Sequence, residues 1–159
     1  MKAHAMTHTI GAGMYGRLAL MVFLSFLTMY VMMYGMVNAF GNVYMNVNQV
    51  YMAGLMAAPM GIIELVLMRA MYRDRNLNIV VLAGSIVALA VFWFLLRQQT
   101  AVSERQFLRS MIPHHAGAIL MCQRADVRDP EIVDLCKDIV SGQQREIDQM
   151  KRKLATLQG

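Results

Sequence analysis

Charge is what most of this 159-residue chain lacks. Residues 1–96 carry only Lys2, Arg17, Arg69, Arg73, Arg75, Glu64 and Asp74 as charged side chains. The net charge of +5 is therefore not a basic patch. Three of those arginines share one short loop, and acids and bases nearly balance after residue 97, so nucleic-acid binding is not expected. Cysteine is also scarce. Cys122 and Cys136 are the only two and form no Cys-x-x-Cys, which argues against a thiol-redox motif. None of Glu104, Glu131 or Glu146 is followed by a histidine three residues on, which excludes the Glu-x-x-His pairs of di-iron bundles. No Ser-His-Asp order and no Gly-rich phosphate loop occurs, so catalysis is not expected.

What is present is apolar surface. Hydrophobic residues make up 57% of the chain. Residues 18–37, 50–68 and 79–96 are apolar runs close to the ~20 residues that a helix needs to cross a bilayer. The first is long for a signal-peptide core, and no small-x-small cleavage site follows it, so it reads as an uncleaved anchor. The expected organisation is a cytoplasmic N-terminal segment (1–17), three transmembrane helices (18–96) and a helical domain (97–159). Arg69, Arg73 and Arg75 follow the second run, whereas the loop 38–49 is uncharged. The positive-inside rule then places the N-terminus and the arginine loop in the cytoplasm and the tail on the outer face, the periplasm of a bacterial inner membrane. Arg97, Arg105 and Arg109 pull weakly the other way.

The tail reads as an antiparallel helical hairpin, making the chain all-α. Ser103 with Gln106 suggests a capping box. Asp129, Pro130 and Glu131 mark the second helix start. Pro113 predicts a kink or restart in the first helix. The first apolar stripe is Leu108, Met111, His115, Ala118/Ile119 and Cys122. The second is Ile132, Cys136, Ile139, Gln143, Ile147, Met150, Leu154 and Leu157. Facing Cys122 with Cys136 sets His115 against Gln143, Met111 against Ile147 and Leu108 against Met150. A lone hairpin cannot bury both sides of such a seam. It is expected to complete a four-helix bundle with a second copy, or to pack on the membrane part.

Soft donors gather in MIPHHAGAILMC, residues 111–122. His115 on the seam is either a core histidine with a protein partner or a ligand. With Met111 and Cys122 along one edge, and His114 with Met121 along another, the set suits Cu(I) or Ag(I). Cys122 and Cys136 read either as a disulfide or as soft-metal thiolates. Zinc lacks a fourth ligand.

Methionine is abundant, and all but Met111, Met121 and Met150 of the 17 lie before residue 97. Met29, Met32, Met33, Met36, Met45, Met52, Met56 and Met60 crowd the outer half of the first two spans and the loop between them. They read as apolar filler or as a thioether surface. Glu64 is either a functional intramembrane carboxylate or one that snorkels toward the arginines. His4 and His8 are a turn apart in a segment expected to lack structure.

FLRSMIPHHAGAILM, followed by DPEIVDLCKDIVSGQQREIDQM, resembles a bacterial family catalogued as domain of unknown function 305. The phrases MIPHH-x-GAI and Gln-x-x-Glu-Ile-x-x-Met carry the resemblance, and VYMAGLMAAPM is similar to its membrane-anchored branch. The resemblance implies a ferritin-like helical bundle. Some secreted members are associated with copper or silver binding and resistance through Met and His. Carried onto this chain, that implies Met111, His114, His115, Met121 and Met150 as ligands. Cys122 and Cys136 depart from the pattern and are secondary candidates. The reading is a membrane-anchored, homo-oligomeric binder of a soft metal, copper as Cu(I), for storage, tolerance or delivery. The alternative is a structural module whose hairpin dimerises.

Overall fold

A computed structural model describes residues 2–157 of the backbone and the side chains of 13–157. The side chains of His4 and His8 lie outside the described residues. Five α-helices and no strand are present among the described residues: α1 (Lys2–Met32), α2 (Val47–Leu67), α3 (Arg75–Arg97), α4 (Glu104–Arg124) and α5 (Pro130–Thr156). Helix α1 takes in the segment that the sequence reading left unstructured. Two short 3-10 turns, Met33–Met36 and Phe40–Asn42, lie between α1 and α2. The chain divides into two compact units. One is α1 up to Val31 together with Val50–Thr100. The other is Met32–Gln49 together with the chain from Ala101 onward.

The first unit carries three helices long and apolar enough to cross a membrane: Gly13–Met36, Val47–Leu67 and Arg75–Arg97. α3 buries no residue, and Phe23, Val31, Val87, Trp93 and Phe94 all point outward. Outward apolar side chains suit helices solvated by lipid. α2 packs through its small residues, with Ala53, Gly54, Ala57, Ala58 and Gly61 buried. A Cβ at Gly54 would stand 2.5 Å from the Phe92 ring, so glycine is what lets that ring lie on the α2 backbone. Met52 and Met56 are exposed on the opposite side, in the position of lipid-facing filler. Glu64 accepts from the Tyr72 hydroxyl at 3.3 Å, beside the core of Leu18, Leu65 and Tyr72. That pairing fits snorkelling toward the arginine end. Asp74 caps α3 through Asn76 N and Leu77 N.

The second unit is the hairpin with an additional layer. Asp129 caps α5 as its sequence suggests, accepting from Glu131 N at 2.9 Å and Ile132 N at 3.2 Å, with Pro130 in the first turn. Ser103 caps α4 through Gln106 N. The reciprocal half of the box is absent, because the Gln106 side chain accepts from Val47 N at 3.1 Å instead. α4 runs unbroken through a buried Pro113, so there is no restart.

The hairpin core is Ile112, Ala116, Ile119, Ile147 and Leu154, flanked by Leu108, Val140 and Met150. Two members of the expected α4 stripe keep their places, with Ile119 fully buried and Leu108 flanking the core, while Ile112 and Ala116 are buried in place of half-buried Met111 and His115. The reason is a third partner. Val37 and Tyr44, from the loop between the first two spans, pack on the same core. A Cβ on buried Gly117 would lie 3.5 Å from the Met36 carbonyl oxygen. Asn48 donates to Ser110 Oγ at 3.3 Å. Within the loop, Asn42 donates to Asn38, and Asn46 caps α2 through Gln49 N at 3.0 Å. This uncharged loop therefore satisfies its buried amides internally and covers one side of α4.

Candidate functional site

At 100° per residue, the arc of α4 left open by α5 and by the loop carries Phe107, Met111, His114, Ala118 and Met121. His115 and Cys122 lie where this arc meets α5. Phe107, His114 and Met121 are exposed, Met111, His115 and Cys122 half-buried. The open side of α5 carries Ile132 and Leu135, both exposed, and half-buried Ile139.

His115 is the most constrained of the histidines. Its side chain is only 12% exposed, and its Nδ1 lies 3.1 Å from Glu146 Oε2. The approach lacks hydrogen-bond alignment, so Nδ1 is a buried nitrogen without a hydrogen-bond partner. The contact counts as a charge–dipole approach to a carboxylate that is itself more than half exposed, and as such it is weak. Burial holds the His115 pKa below the ordinary imidazole value. Glu146 pulls it back up and His114 pushes it further down. Burial prevails, so the ring is neutral at pH 7, the state in which imidazole binds metals. The two rings stand 6.0 Å apart, tilted by 59°. Two imidazoles on one ion, with bonds of about 2.0–2.1 Å, place their centres roughly 5–6 Å apart.

The register contains both the expected and the unexpected. Cys122 and Cys136 meet side chain to side chain at the closed end of the hairpin, and both are free thiols. That contact, with burial, raises the Cys122 pKa. Towards the open end the pairing drifts. His115 meets Glu146, one turn beyond Gln143, and Arg105 donates to the Leu157 carbonyl. Met150 packs against the hydrophobic core, while Met121 is 57% exposed on the other side of α4. The structure thus brings together the cysteines, and separately the two histidines, but not Met121 with Met150. Among the described residues no group of three or more His, Cys, Asp or Glu side chains is placed to hold a metal ion. A site here would need thioethers. Sequence reasoning missed Glu146. The signal was available, since Gln143 and Glu146 are three apart on one helix face.

Residues 94–154 match the domain of unknown function DUF305. An uncharacterized protein of Acanthamoeba polyphaga mimivirus is 30% identical over 134 residues, covering 82% of this chain and 86% of that protein. The chain belongs to the DUF305 family. No solved structure matches it significantly. The DUF305 match spans α4 and nearly all of α5, and so holds all seven candidate residues. The viral relative's similarity is longer than that match, so it extends into the part with the three long apolar helices.

Proposed function

We propose that this DUF305 protein is a membrane-anchored binder of a soft monovalent cation, Cu(I) or Ag(I), serving storage, tolerance or delivery rather than catalysis. His115 carries the reading: a neutral, half-buried imidazole with an unpaired nitrogen, beside His114 on the arc of α4 that α5 and the loop leave open. Glu146 Oε2 lies 3.1 Å from Nδ1 without making a hydrogen bond, so Nδ1 is the nitrogen left for an ion. Met111 on the same arc and Met121 one line away supply thioethers, which favour Cu(I) over zinc. Met150 is the weaker candidate because it packs into the core. The arginine loop after α2 supports an orientation with the hairpin on the outer face, the periplasm in a bacterial cell. The long similarity to the viral protein supports a membrane-anchored branch of the family.

The test is Cu(I) competition titration of the full chain in detergent, anaerobically, in a Cys122→Ser/Cys136→Ser background that removes the thiolates. Replacing His114 and His115 with alanine should weaken binding at least tenfold. Unchanged affinity would overturn the assignment.

A second reading has its own observation. Phe107, Met121, Ile132 and Leu135 are each about half exposed on the uncovered side of the hairpin. A second copy packing there would complete a four-helix bundle. Chemical cross-linking in membranes, with Phe107→Glu and Leu135→Glu as controls, separates a dimerising module from a monomeric binder.

A further inference from the structure

A second set of soft donors lies at the closed end of the hairpin, two helical turns along α4 from His115. Cys122 is in the last turn of α4 and Cys136 in the second turn of α5, and the two thiols are in side-chain contact. They share a groove of about 460 Å³ with Ala125, Val127, Val133, Val140, Ser141 and Lys137. The backbone on either side is fixed. Asp129 caps α5, Arg128 pairs with Asp126 at 2.7 Å in the connecting turn, and Val140 belongs to the hairpin core.

The chemistry of the pair is set by its surroundings. A thiol that exchanges disulfides quickly needs a lowered pKa, from a nearby cation or a helix N-terminus. Lys137, the only cation lining the groove, is already held by Asp134 at 2.7 Å. Cys122, at a helix C-terminal end, is shifted the other way. Cys122 is therefore a protonated, weakly nucleophilic thiol. The two thiols nevertheless share one groove, where a single ion could meet both sulfurs. Two metal–sulfur bonds of about 2.3 Å at an open angle span roughly 4–4.6 Å. With two sulfur donors, and the Ser141 hydroxyl engaged with the Asp138 carbonyl at 3.1 Å, the arrangement suits ions content with two-coordination and disfavours tetrahedral zinc.

We propose that Cys122 and Cys136 form a two-thiolate site for a monovalent soft cation, Cu(I) or Ag(I), distinct from the histidine edge. One ion replaces the two S–H protons with two metal–sulfur bonds and releases both protons to solvent. No electron is transferred, and the site gains one negative charge, since two thiolates outweigh one cation. The site goes beyond the histidine–methionine reading and stands or falls without it.

The experiment uses the full chain in detergent, reduced and then freed of reductant under argon. One equivalent of Ag(I) is added, and in a parallel sample Cu(I). Alkylation of the two cysteines by N-ethylmaleimide is followed by mass spectrometry. One equivalent of either ion should slow alkylation of both thiols at least tenfold, while an equivalent of Zn(II) should not. A near-ultraviolet sulfur-to-metal absorption should accompany protection. It should persist in the His114→Ala/His115→Ala variant and vanish in Cys122→Ser and in Cys136→Ser. Unprotected thiols at one equivalent overturn the site. So does an absorption that needs the histidines, which would merge the two sites into one. Disulfide formation between the two thiols in a parallel reduced sample opened to air, with dioxygen as the oxidant, also overturns it, and makes the pair a structural crosslink.

Discussion

His115 shows how one side chain couples folding to acidity. Burial lowers its pKa in the folded protein relative to about 6.5 in the unfolded chain. As pH falls, the unfolded state therefore takes up the proton first. The contribution to stability is intact above about pH 6.5 and is lost as pH falls below it, levelling off once the folded protein also titrates. Thermal melts of the full chain between pH 7.5 and 5 should show this loss, and His115→Gln should flatten it. An unchanged acid slope in the variant would move the effect to another group. At this scale much was legible. The MIPHH phrase pointed to the histidines, and a register chosen to face Cys122 with Cys136 put stripe residues opposite stripe residues. The Glu146 contact did not, because the pairing drifts by about one turn between the closed and open ends. A register set at one end does not fix contacts several turns away.

At the scale of elements, chemistry local to a few residues was readable and chemistry shared between elements was not. Asp129-Pro130 names the start of α5 because a cap and a first-turn proline act within four residues. Ser103 does the same for α4, yet Gln106 turns away from it, since Val47 N offers a partner that the local sequence cannot reveal. The shift of the α4 stripe from Met111 to Ile112 has the same origin: a second packing surface rotates which residues are buried. In the membrane unit, close approach of α2 and α3 rests on Gly54 under the Phe92 ring. Gly54→Ala should destabilise that unit by about 1–3 kcal/mol through overpacking. Loss of helicity in mixed detergent micelles would measure it. Phe92→Leu should restore part of the loss, and failure to do so would mean that the ring is not what the new methyl meets.

At the scale of the whole chain, three spans and a helical tail could be read from apolar run lengths, and the structure has three helices of that kind. The composition of the second unit could not. Its third layer is Met32–Gln49, separated in sequence from α4 by two helices apolar enough to cross a membrane. Nothing in an uncharged, asparagine-rich loop announces that Val37 and Tyr44 will cover a distant helix. Replacing both with alanine should lower the stability of the hairpin unit by about 1–3 kcal/mol, since each is a partly buried contact. Hydrogen exchange of α4 amides should accelerate in step, and unaltered protection would show that the loop is a passenger. The discontinuity also has a consequence for biogenesis. The loop is synthesised about a hundred residues before Leu154, which at roughly 5–20 residues per second is many seconds. During that interval it is a surface without its partner. Damage to it should therefore appear first as poor accumulation of the protein in the membrane, ahead of any defect in what the finished protein binds.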